Sequence, residues 1–122
     1  MSQGAEPRVL VIGDSLSAAF GMALEQGWVN LLQQRISAEG YPHQVVNASI
    51  SGDTTGGGAR RLPGLLSEYA PTIVIIELGG NDGLRAFPLK TMRSNLETMA
   101  DLVTDSDAAL LILGARAPPN LG

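Results

Sequence analysis

The chain has 122 residues, 44% of them hydrophobic and 16% charged, with a formal net charge of -4. A domain of this length buries roughly two-thirds of its extended-chain surface, so the composition points to one folded unit and excludes a disordered chain. No Lys or Arg cluster is present, which argues against a nucleic-acid partner. The lack of cysteine excludes a disulfide framework, a thiolate nucleophile and a Cys-ligated zinc site. No apolar run approaches the ~18 residues of a membrane span.

Residues 1–7 lack the apolar stretch of a signal peptide and read as a short disordered lead, with residues 8–122 as the domain. The first apolar run, Val9 to Ile12, is continuous, as in a strand buried on both faces. A polar loop, Gly13 to Ser17, follows it and leads into an expected helix. Trp28, Leu31, Leu32 and Ile36 then share one face of a helix that Gly40 would stop. Val45-Val46 marks a second strand, followed by a loop over residues 47–56. Leu62, Leu65, Leu66 and Tyr69 form the next helical stripe, closed by Pro71, with Pro63 expected near its beginning. Ile73 to Ile76 is the third strand, and Gly79 to Gly83 its loop. Met92, Leu96, Met99 and Val103 give a last helix before a fourth strand, Leu110 to Leu113. Strand and helix alternate, which predicts βαβ crossovers and an α/β fold: a three-layer sandwich on a parallel sheet. The loop-like residues 116–122 follow the fourth strand directly, which leaves that strand poorly covered and suggests that the final segment of the fold is lacking.

In such folds ligands bind beyond the C-terminal ends of the strands, where three glycine-rich loops would converge. Ser15 follows the first strand by two residues. Position alone fits a helix cap as well as an exposed nucleophile with donors nearby. Gly52 could bring a backbone N–H close to a ligand, and Asn81 could bring a side-chain amide to the same edge. Taken singly, both fit ordinary turn chemistry.

Together the blocks Gly13-Asp14-Ser15-Leu16-Ser17, Asn47 to Thr54 and Gly79-Gly80-Asn81-Asp82 resemble the three leading motifs of the SGNH/GDSL hydrolases, nearest the bacterial arylesterase and thioesterase/lysophospholipase subgroup. The resemblance runs from Arg8 to Gly122. It implies a flavodoxin-like sandwich that cleaves esters or thioesters through an acyl-serine on Ser15. The Ser15 and Gly52 N–H groups and the Asn81 side chain would form the oxyanion hole. Asp14, Asp53 and Asp82 would support the loops. No metal or organic cofactor is implied, and relatives of this kind are periplasmic or secreted.

The family's late Asp-x-x-His block is absent. His43 precedes the second strand and is expected at the opposite end of the sheet from Ser15. An aspartate of ordinary pKa is a poor base for a serine hydroxyl. Weak or absent turnover by the chain alone is therefore expected, and a fragment that retains acyl binding is the alternative. The exposed last strand invites a homodimer. Leu16, Phe20, Leu84 and Phe87 favour an acyl or aryl group over a sugar. A flavodoxin-like binding module is the rival from another class. It lacks a Walker ending, a dinucleotide fingerprint and an aromatic pair for flavin stacking.

Overall fold

The computed structural model describes residues 6–19 and 27–114. Residues 1–5 of the expected lead (1–7), Phe20 and the tail from residue 115 lie outside the described residues. Eight elements follow in chain order: β1 (Arg8–Gly13), α1 (Trp28–Ala38), β2 (Gln44–Asn47), α2 (Thr55–Tyr69), β3 (Ile73–Glu77), α3 (Gly80–Leu84), α4 (Leu89–Asp105) and β4 (Ala109–Ile112). All strand pairs are parallel, in the order β2-β1-β3-β4. The chain reverses its direction of travel across the sheet between β1 and β3. That is the switch point at which ligands of open α/β sheets bind.

Alternation along the central strands divides the core. Leu10, Ile12, Val74 and Ile76 face Leu62 of α2 and Met99 and Val103 of α4. Val9, Val11 and Ile75 face Val29 of α1, with Trp28, Leu32 and Ile36 packed around them. The sandwich therefore has three layers. Continuous burial holds for β1 and β3. It fails for β4, where Leu111 is 50% and Ile112 45% exposed; among the described residues β4 pairs with β3 alone.

Several local expectations need correction. Leu31 is exposed and Val29 takes its place on the buried face of α1. The end of α1 is as expected: the Gly40 N–H bonds Ser37 O and the Tyr41 N–H bonds Ile36 O, a Schellman stop. Pro63 lies inside α2, not near its start. This helix begins at Thr55, where residues up to Gly56 read as loop, because the Thr54 hydroxyl caps it by accepting from the Gly57 N–H at 3.2 Å. A Cβ on Gly58 would collide with the end of Leu78, so glycine there lets α2 lie close to the sheet. The helix expected after Ser15 is instead a series of turns through Ala19, whose φ of 61° breaks a helical run. The loop at Gly79 to Gly83 tightens into the short helix α3.

Candidate active site

Parallel register puts Gly13 beside Glu77 at the C-terminal edge of the sheet. The chain then turns sharply. The Asp14 carbonyl accepts from the Ser17 N–H at 3.1 Å and the Ala18 N–H at 2.9 Å. Asp14 Oδ1 accepts from the Leu16 N–H at 3.0 Å. Asp14 and Ser17 are buried by this turn, while Ser15 stays half-open. Among the described residues, neither the Ser15 hydroxyl nor its N–H has a hydrogen-bond partner.

The loop after β2 is tied to the first. The Ile50 N–H bonds Gly13 O at 3.0 Å, and Asn47 Nδ2 bonds Ser17 O at 2.8 Å. Gly52 takes φ +84°, a left-handed conformation that glycine adopts without strain. Arg85 Nη2 holds the Gly52 carbonyl at 3.2 Å, and among the described residues the Gly52 N–H is unpaired. Asn81, in α3, donates from Nδ2 to Asp53 O at 2.9 Å, which fastens the third loop to the second. That bond uses one of the two hydrogens of the amide, so a second donor remains. Ser15, Gly52 and Asn81 thus stand on three loops joined by hydrogen bonds at one edge of the sheet.

Asp53 and Asp82 use both carboxylate oxygens. Asp53 Oδ2 accepts from Arg61 Nε at 3.1 Å and Nη2 at 2.6 Å, and Oδ1 accepts from the Thr54 N–H at 2.9 Å. Asp82, 1% exposed, accepts from the Thr55 N–H at 2.8 Å and the Thr55 hydroxyl at 2.6 Å. Asn95 Nδ2 completes that cluster by donating to Thr55 Oγ1 at 3.0 Å. None of the three aspartates hydrogen-bonds Ser15.

His43, the one histidine of the chain, immediately precedes β2, whose first residue Gln44 pairs with Arg8 at the start of β1. It therefore lies at the edge of the sheet opposite Ser15, with its ring against Tyr41. Among the described residues, no group of three or more His, Cys, Asp or Glu side chains is placed to hold a metal ion. No described helix is long and apolar enough to cross a membrane.

Sequence reasoning missed Glu77, Thr55, Arg61, Asn95 and the role of Trp28. One signal for Glu77 was available: a carboxylate ending the apolar run Ile73 to Ile76 at the loop edge is out of keeping with a buried strand. The residues that hold Asp53 and Asp82 gave none, since their pairing spans 8 to 40 positions.

Comparison with known proteins places this geometry. The chain is 53% identical over 120 residues to the esterase TesA of Pseudomonas aeruginosa, covering 98% of this chain and 60% of that protein. It is 50% identical over 121 residues to an arylesterase of Vibrio mimicus, covering 99% of this chain and 60% of that one. A crystal structure of TesA superposes with a TM-score of 0.92 at 54% identity, over 94% of this chain and 64% of that one. The chain thus spans about 60% of the length of the relatives it matches. The family profile described as GDSL-like Lipase/Acylhydrolase matches residues 11–122, and with these identities it shows that the chain belongs to that family.

Proposed function

We propose that the protein is a serine ester hydrolase of the acyl-transfer type, with Ser15 as its nucleophile. The observation that carries this reading is the set of donors left unpaired among the described residues, on loops hydrogen-bonded to one another at the edge that bears the Ser15 hydroxyl: the Ser15 N–H, the Gly52 N–H and the second Asn81 amide hydrogen. Ser15 Oγ attacks the ester carbonyl, the C–O bond to the alcohol breaks, the serine proton leaves on that alcohol, and the acyl group remains on Ser15. The donors take up the negative charge that grows on the carbonyl oxygen. Water then releases the acid. Asp14, Asp53 and Asp82 hold the loops in place.

The exposed side chains of Leu16, Leu84 and Phe87 around this edge support an acyl or aryl ester over a sugar ester. Of these, Phe87 also lines a recess of about 450 Å³, which is otherwise mostly polar, with Thr54, Arg60, Asp82, Arg85 and Asn95. The substrate is thus a small acyl or aryl ester or thioester, as the names of these relatives and of a thioesterase 1 of Escherichia coli, 41% identical over 114 residues, suggest.

The position of His43 means that the described residues supply no base to Ser15. Added imidazole is therefore expected to accelerate p-nitrophenol release from a short p-nitrophenyl ester. The gain should exceed that of the Ser15→Ala variant at every imidazole concentration. Equal gains in the two proteins would overturn Ser15 as nucleophile.

Among the described residues one edge of β4 has no partner strand, and this edge, with Leu111 and Ile112 exposed, supports pairing with a second copy. Sedimentation at micromolar concentration is expected to give a dimer mass, and a monomer mass would contradict this.

A further inference from the structure

The carboxyl of Glu77 has no part in the reading above, yet it lies under the Ser15 turn. Glu77 ends β3 opposite Gly13 and is 7% exposed. Its Oε1 accepts from the Ser17 hydroxyl at 2.7 Å and, more weakly, from the Asp14 N–H at 3.4 Å. Ser17 Oγ in turn accepts from Trp28 Nε1 at 3.1 Å. The packing leaves no slack: a Cβ on Gly13 would come within 2.5 Å of Ser17 Oγ and 3.0 Å of Glu77 Oε1.

We infer that Glu77 is a positioning residue for the Ser15 turn, gripping it on both sides of Ser15 through the Asp14 N–H and the Ser17 hydroxyl. The inference rests on the reading of Ser15 as nucleophile. With anchors at residues 14 and 17, a shift of the carboxyl moves the backbone that carries the Ser15 N–H and hydroxyl. Displacements of about 1 Å at a reacting group change rates by roughly 10²-fold, so such a grip matters to acylation.

The grip depends on protonation. Burial raises the Glu77 carboxyl above its ordinary 4.5; the Ser17 hydrogen bond opposes this, and the Asp14 carboxyl reinforces it by hydrogen bond and charge. Asp14 is the titratable side chain that meets Glu77 among the described residues, while β1 contributes Gly13 and α1 the neutral Trp28. The fold thus holds the Glu77 proton more tightly than the unfolded chain does. This contribution to stability is complete below the unfolded value near 4.5 and is lost as pH rises through the folded value.

Trp28 is the only tryptophan in the chain, so its single indole N–H resonance reports on Ser17. The test follows that resonance, with the amides of Asp14 to Ser17, in an isotope-labelled chain as pH is raised. The indole, Asp14 and Ser15 signals are expected to move together with one midpoint above 4.5. Glu77→Gln can still accept from Ser17, and it should keep the turn and lose the transition. Ser17→Ala should leave the Asp14 amide titrating while the indole stops following, a pattern that decides the matter even if Glu77→Gln does not fold. A transition that survives Glu77→Gln would mean that Glu77 is not the group that titrates and would overturn the proposal. So would a Ser15 amide that stays still while Glu77 titrates. Failure of Ser15 as nucleophile would look different: hydrolysis indifferent to Ser15→Ala, with this transition intact.

Discussion

Replacing Asn81 by alanine is expected to slow the Ser15-dependent release of p-nitrophenol by about 10²–10³-fold, a barrier increase of roughly 3–4 kcal/mol. The size follows from where the amide stands. Its Nδ2 is fixed by a 2.9 Å bond to Asp53 O, and Asn81 sits in a short helix held between Gly79 and Arg85. A donor fixed in this way needs no reorganisation when charge develops on the substrate oxygen, and so its full strength falls on the transition state. The loss should appear in the rate constant of acylation and much less in KM, since the ground-state carbonyl carries little charge. Rapid-mixing measurements with imidazole present, referenced to Ser15→Ala, check this. A change confined to KM would mean that Asn81 binds substrate without stabilising an oxyanion.

The second large effect is on stability. Asp82→Ala is expected to destabilise the fold by about 3 kcal/mol, since it strands a buried N–H and a buried hydroxyl that were bonded to a carboxylate. Both belong to Thr55, at 2.8 and 2.6 Å, and Asp82 is 1% exposed, so water cannot replace the lost acceptor without opening the site. Domains of this size are stable by about 5–15 kcal/mol, which makes the loss a large fraction of the total. The shift in urea midpoint measures it. Thr55→Val removes only the hydroxyl partner and should cost less. The double variant should cost less than the sum of the singles, because the two changes break one shared interaction. Additive costs would show that the Asp82–Thr55 pair is not the source of the effect.

The sequence was legible wherever one short-range rule governed. Continuous apolar runs located β1 and β3, and the 3-4 spacing of Met92, Leu96, Met99 and Val103 located α4. The Gly40 stop of α1 was visible for the same reason. Legibility failed where tertiary packing overrode a local preference. Thr55 and Gly56 read as loop and Pro63 as near a helix start, yet the Thr54 cap and the close approach of Gly58 to Leu78 put all three inside α2. Ser15 read as the start of a helix, but the bonds from Asp14 and the positive φ of Ala19 form turns instead.

The site divided in the same way. Ser15, Gly52 and Asn81 were picked out because each follows a strand in a glycine-rich loop, a pattern visible in one dimension. Glu77 was passed over because its neighbours are distant in sequence: Ser17 is 60 positions away and Asp14 63. Only the parallel register of β1 with β3 brings them together.

The most direct measurement locates the acyl group itself. The chain is reacted with a p-nitrophenyl ester or a fluorophosphonate, digested, and read by mass spectrometry at single-residue resolution. The account predicts one adduct, on Ser15, absent from Ser15→Ala. Two serines nearby serve as controls: Ser17, committed to Glu77, and Ser49, whose buried hydroxyl has no partner among the described residues. A label on either of these, or equal labelling of Ser15→Ala, would contradict the assignment of the nucleophile.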